Sequence, residues 1–278
     1  MKRITFWILA LFFTAFVPNA LAQKTETGFL KRTVTVGKIT RNFKVYIPEN
    51  FNPKKKYPVV LFLHGAGSRG DDNEKHIPGE KYGLGGAIQG NPEKYVSFIA
   101  VFPQLVENGF WIGNMIDYAV AALDLTVTEF KADEKRLYVT GFSLGGYGSF
   151  YAAAKYPNKF AAIVPVGGGI LPPNADKIPP LLKAVVHPEI AKLYDAENPR
   201  TAFAQTLKNV PTWIFHGEKD EAVPVSEARQ TAEAFKKAGA ALKYTEYEGA
   251  DHFIPARVYA DGALWKWLLA QKLGVTNN

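Results

Sequence analysis

Apolar residues along this chain come in short unbroken blocks, separated by longer stretches of helical periodicity. The blocks are Val59–Leu63, Val96–Phe102 (interrupted only by Ser97), Leu137–Thr140, Ala161–Val166 and Thr212–Phe215, and a last strand-like run, Leu242–Tyr247, carries Lys243, Thr245 and Glu246 among its apolar residues. A strand with one wet face alternates apolar and polar residues. Runs without alternation are expected where helices cover both faces of a parallel sheet. Between the second and third blocks, Ile116, Ala119, Val120, Leu123, Val127 and Phe130 recur at helical spacing and form one apolar stripe. Further helices are predicted over Ser226–Lys237 and Arg257–Lys272, the last carrying Trp265, Leu268 and Leu269 at i, i+3, i+4. Ahead of the blocks, Thr33–Val36 and Arg41–Ile47 read as an antiparallel pair turning at Gly37-Lys38. The pattern predicts an α/β fold, with a mostly parallel central sheet, helices on both faces and an antiparallel N-terminal strand pair.

One segment departs from this rhythm. Ile170 to Asn209 contains Pro172, Pro173, Pro179, Pro180, Pro188 and Pro199, with one short helical stretch around Leu181–Val186. Two readings are open, a partial lid over a site or a rigid surface connection.

The chemistry begins at Gly141-Phe142-Ser143-Leu144-Gly145, where an apolar strand meets a small-residue helical run. A serine on so tight a turn is held in a strained backbone conformation with its oxygen clear of the sheet. Glycines two residues to either side remove the Cβ atoms that would clash with the strand and helix. This strand–turn–helix setting makes G-x-S-x-G a nucleophile elbow, whereas the bare five-residue pattern is also met as a flexible turn.

A serine needs a base, and the elbow's chain order is Ser, then Asp or Glu, then His. Three histidines follow Ser143, at 187, 216 and 252. His252 follows the Leu242–Tyr247 block and is the expected base. His216 ends another strand and is expected to face the turn beneath it, and His187 is expected at the surface in an irregular region. For the acid, Glu218, Asp220 and Glu221 all follow the strand ending at His216-Gly217. Asp220 is preferred, three residues past the glycine, leaving Glu218 and Glu221 to a solvated loop. Its carboxylate would hold one imidazole tautomer and stabilise the imidazolium. Asp251 adjoins His252 and is too near in sequence to reach the far ring nitrogen easily. The oxyanion needs two amide donors. One is expected from Leu144 and the other from His64-Gly-Ala-Gly-Ser-Arg-Gly70, after the first block. Ala66 is the favoured donor there, Gly67 the alternative, and His64 a structural anchor. Trp111 and Phe142 are the candidate substrate contacts. The polar Gly70–His76 stretch reads as a solvated loop or as part of the entrance.

On His64-Gly-Ala-Gly, Gly141-Phe-Ser-Leu-Gly-Gly-Tyr-Gly148, His216-Gly-Glu-Lys-Asp220 with Val223-Pro224, and Asp251-His252, the chain resembles the secreted α/β-hydrolase esterases. It is most similar to the branch holding predicted peptidases, feruloyl and acetyl-xylan esterases and polyhydroxybutyrate depolymerases. The resemblance spans roughly Arg41 to Leu269 and implies the α/β-hydrolase fold. It also implies a serine carboxylesterase acting through an acyl-enzyme on short-chain or aromatic acyl esters, including carbohydrate-linked ones. It calls for no cofactor and no metal. A peptidase on the same triad is the alternative, and a non-catalytic binding protein on this scaffold a remoter one. Ser68 stands where relatives often carry an acidic residue, and the 170–209 segment is longer than the link common in this branch.

Composition changes the picture mainly at the N-terminus. Lys2 and Arg3, an apolar core from Ile4 to Val17, and Ala20-Leu-Ala22 read as a signal peptide, residues 1–22. The mature chain, 23–278, is then one domain, secreted or periplasmic, with no stable membrane anchor expected. It has no cysteine, so no disulfide assists its stability. The net charge of +7 falls to +5 without Lys2 and Arg3. Lys54-Lys55-Lys56 is the one dense basic cluster, and a solvated turn accounts for it, so nucleic acid is not an expected partner.

Overall fold

A computed structural model of the protein describes residues 26–77 and 83–274. The predicted signal peptide at 1–22 lies outside the described residues. Among those described, eight strands form one sheet in the order β1-β2-β4-β3-β5-β6-β7-β8. The strands are β1 (Gly28–Val36), β2 (Ile39–Ile47), β3 (Val59–Leu63), β4 (Ile99–Pro103), β5 (Leu137–Phe142), β6 (Ala162–Val166), β7 (Thr212–Gly217) and β8 (Leu242–Tyr247). The first two form the antiparallel pair that opens the sheet, and β2 meets β4 antiparallel. From β4 onward every pairing is parallel. This is the α/β-hydrolase fold.

The apolar blocks are continuous because the sheet is covered twice. Val59, Leu61 and Leu63 of β3 point into one core, with α2 (Asn114–Glu129), α3 (Leu144–Lys155), α6 (Pro199–Leu207) and α7 (Val225–Lys237). Val60 and Phe62 point into the other, with α1 (Leu84–Gly90), α8 (Pro255–Ala260) and α9 (Gly262–Ala270). The C-terminal helix expected over 257–272 is two helices. Asp261 takes extended backbone between them and accepts the Ala263 amide, which starts a new helix instead of continuing the old one.

The 170–209 segment holds three helices, not one short stretch: α4 (Pro180–Lys183), α5 (Pro188–Asp195) and α6. Each opens on a proline in its first position, where the missing amide costs nothing and the fixed φ already suits a helix. The prolines therefore start helices instead of breaking them. His187 is exposed, as expected, but it stands at the start of α5 and not in irregular chain. Ile190, Tyr194, Phe203 and Leu207 join the core, so the second half of the segment is part of the helical layer. The Gly70–His76 stretch is also less free than a solvated loop. Asn73 and His76 are buried, and Gln104 binds the Asn73 amide and the Asp72 carboxylate. No described helix is long and apolar enough to cross a membrane.

Candidate active site

The elbow follows from three close approaches. Ser143 sits between β5 and α3 at φ 55°, ψ −115°, a strained region for a residue with a side chain. A Cβ on Gly145 would fall 1.8 Å from the Leu63 carbonyl oxygen, and one on Gly141 2.4 Å from the Gly145 oxygen. On the far side, Gly168 approaches Gly146 so closely that its Cβ would stand 2.8 Å from both the Gly146 Cα and the Ser143 carbonyl oxygen. The Ser143 amide is fixed by the Val166 carbonyl at 2.8 Å. The serine thus rises between β3 and β6, at the carboxyl ends of the parallel strands, where such sheets place ligands.

Asp220 and His252 arrive from the next two strand ends. A Cβ on Gly217 would stand 2.1 Å from the Asp251 carbonyl oxygen, so the β7 and β8 loops run in contact. The Lys219 amide bonds the Ala250 carbonyl at 2.8 Å, and the Glu218 carboxylate holds the Gly249 amide at 2.7 Å. Glu218 therefore ties the two loops together, a role that a solvated reading of its cluster does not contain. Asp220 is buried. Its Oδ1 accepts the amides of Ala222 and Val223 at 3.0 and 2.7 Å. Its Oδ2 lies 2.6 Å from His252 Nδ1, and His252 Nε2 lies 2.9 Å from Ser143 Oγ. Burial pushes the Asp220 carboxyl upward, but the bonds from His216, His252 and the Val223 amide outweigh it and hold it well below the ordinary range. Asp251 caps its own loop through the Phe253 amide.

The loop after β3 reaches the elbow from the other side. Gly65 comes so near that a Cβ there would stand 3.5 Å from Ser143 Cβ, and Ala66–Ser68 form a single 3-10 turn with Ala66 and Gly67 exposed. Leu144 begins α3, whose first amides have no intrahelical acceptor. The loop is anchored by His64, whose Nδ1 meets the Gly65 carbonyl at 2.7 Å and whose Nε2 accepts the Leu105 amide at 3.0 Å. Burial lowers the pKa of His64 to about 3, so it is a structural imidazole. Arg69 closes the loop by donating to the Gly109 carbonyl at 2.7 Å and lying 5.0 Å from the Phe110 ring centre.

Beside α3, Trp111, Leu144, Tyr147, Ile170, Ile178 and Leu182 line a largely apolar cavity of about 150 Å³. The first half of the 170–209 segment supplies part of its wall. Trp111 lines it while its indole N–H is committed to the His64 carbonyl at 2.8 Å. Phe142 is not among the lining residues and packs against the His252 ring, 4.8 Å between centres. Sequence reasoning missed His216 as a neighbour of Asp220, and also the Gly167-Gly168-Gly169 loop behind the histidine. The run of three glycines after β6 was the available signal for the second. No cluster of three or more His, Cys, Asp or Glu able to hold a metal occurs among the described residues.

Residues 108–274 match the prolyl oligopeptidase family. The chain belongs to that family. Proteins similar to it include feruloyl esterase D of Neurospora crassa, 29% identical over 61% of this chain and 62% of that protein. Acetylxylan esterase A of Emericella nidulans is 28% identical over 54% of this chain and 47% of its own length. Among solved structures, a thermostable esterase superposes with a TM-score of 0.70 at 26% identity, covering 88% of this chain and 63% of that one. The chain spans 64% and 18% of the lengths of the first two curated relatives it matches.

Proposed function

We propose that this member of the prolyl oligopeptidase family is a serine carboxylesterase for short-chain or aromatic acyl esters, including those borne by carbohydrate. Ser143 Oγ attacks the ester carbonyl as His252 takes its proton, and Asp220 stabilises the imidazolium. The amides of Leu144 and Ala66 receive the oxyanion. The leaving alcohol takes the proton from His252, and water activated by the same imidazole releases the acyl group. The observation that carries the reading is the unbroken line of bonds from Asp220 through His252 to Ser143, at 2.6 and 2.9 Å.

The cavity beside Leu144 supports a small acyl group, because an apolar cavity of about 150 Å³ holds one benzene-sized ring. Feruloyl and acetylxylan esterases among the relatives point the same way. Ile170 to Leu182 would act as a partial lid over that cavity within a single-domain mature chain, exported once residues 1–22 are removed. The family's name favours a second reading, a peptidase using the same three residues. Rates on p-nitrophenyl acetate, methyl ferulate, acetylated xylan and a matched peptide anilide decide between them. Ester turnover that vanishes in Ser143→Ala is expected. Turnover of long-chain esters alone, or of the anilide in preference to its ester, would overturn the proposal.

A further inference from the structure

His216 ends β7 fully buried, paired in register with Glu246 of β8. Its Nε2 lies 2.8 Å from the Val223 carbonyl oxygen and 3.2 Å from Asp220 Oδ2. A carbonyl can only accept, so Nε2 carries a hydrogen, and that N–H is shared between the carbonyl and the carboxylate. Oδ2 is the same oxygen that meets His252 Nδ1. The two Oδ1 bonds fix one end of the carboxylate, and His216 holds the other, at the same oxygen that meets the base. Its ring also spans the loop from 216 to 223, so that the acid sits inside a closed ring of hydrogen bonds.

Packing alone does not account for an imidazole here. His216 Nδ1 is buried with no hydrogen-bond partner among the described residues, a cost that an apolar side chain of similar size would avoid. What an apolar side chain could not supply is the donor to Asp220. We propose that His216 is a positioning residue, holding Oδ2 of Asp220 in line with His252 Nδ1; the inference rests on Ser143, Asp220 and His252 being the reacting triad.

The test compares His216→Leu, which removes the donor, with His216→Gln, whose amide nitrogen can replace Nε2. The readouts are kcat and KM on p-nitrophenyl acetate, with the rate of fluorophosphonate labelling of Ser143. A donor to a charged acceptor sets the expected size: the Leu variant should lose roughly tenfold to a hundredfold in kcat and in labelling rate at unchanged KM, and the Gln variant should recover most of it. Wild-type kcat in the Leu variant overturns the proposal, as does a Gln variant no better than Leu. If the Leu variant does not fold, His216→Asn takes its place, because its shorter amide falls short of Asp220. Asn must then fall where Gln holds, and equal or reversed effects overturn the proposal. Residual labelling in Ser143→Ala would defeat the triad reading itself. A dead Ser143→Ala beside wild-type His216 variants would defeat only this inference.

Discussion

Gly145 shows how much a single position can settle. In the sequence it is one end of a five-residue pattern met by chance elsewhere. In the fold, its missing Cβ is what lets α3 rest on the end of β3, 1.8 Å from a carbonyl oxygen that has no freedom to move. Gly145→Ala is therefore expected to destabilise the protein by more than the ~1–3 kcal/mol of ordinary overpacking, since backbone and not a flexible side chain must yield. Gly67→Ala is the control, with no atom within 4 Å of the added carbon and an expected change within about 0.5 kcal/mol. Urea unfolding midpoints measure both, and equal midpoints for the two variants would refute the account of the elbow. That Asp220, His252 and Ser143 come within bonding distance was legible at this scale because strand ends and chain order constrain their placement tightly. His216 was not, because its role appears only when the 217–223 loop folds back over the strand that precedes it.

At the scale of elements, the strands were readable because burial on both faces leaves continuous apolar runs. Of the helices in 170–209 only the stretch around Leu181–Val186, where α4 lies, was readable, because a proline that opens a helix looks in sequence like one in an irregular link. Pro180, Pro188 and Pro199 all occupy first turns, which only the neighbouring packing reveals. Beside the apolar contacts that join this segment to the body stands the buried pair Arg200–Glu227, 2.5 Å between α6 and α7. Side chains of this kind are retained at a desolvation cost, and removing one partner leaves the other charge stranded. Glu227→Ala should cost about 3–5 kcal/mol, whereas Arg200→Met with Glu227→Leu should restore most of it. Chemical denaturation of the two variants checks this. A single variant as stable as the wild type would mean that α6 is held to the sheet by its apolar face alone.

The molecule as a whole takes its sensitivity to acid from two imidazoles that the fold buries. His64 and His76 lie 5.9 Å apart between ring centres. Burial lowers them from the usual 6.5 to about 3 and about 4. Both folded-state values lie below the unfolded one, so the unfolded chain binds protons that the folded chain refuses. Their contribution to stability is complete above pH 6.5 and is lost as pH falls toward 4 for His76 and 3 for His64. Each imidazole adds a slope of about 1.4 kcal/mol per pH unit inside its window. Asp72 and Glu74, both held down to about 2 by their hydrogen bonds, keep their full contribution above the ordinary carboxylate range and lose it only as pH falls from there toward 2. Thermal midpoints should therefore hold level from pH 8 to about 6.5 and fall steadily between 6.5 and 4.5, before the carboxylates enter. His76→Gln keeps a donor for the Phe102 carbonyl, which the histidine meets at 3.0 Å, and has no proton to gain. Its midpoint should fall less steeply over that interval than the wild type's. Parallel slopes for the two proteins would show that the acid sensitivity resides elsewhere. A matching shallow slope in His64→Gln, whose side chain cannot both donate to Gly65 and accept from Leu105 in the same way, should come with a lower midpoint at pH 8.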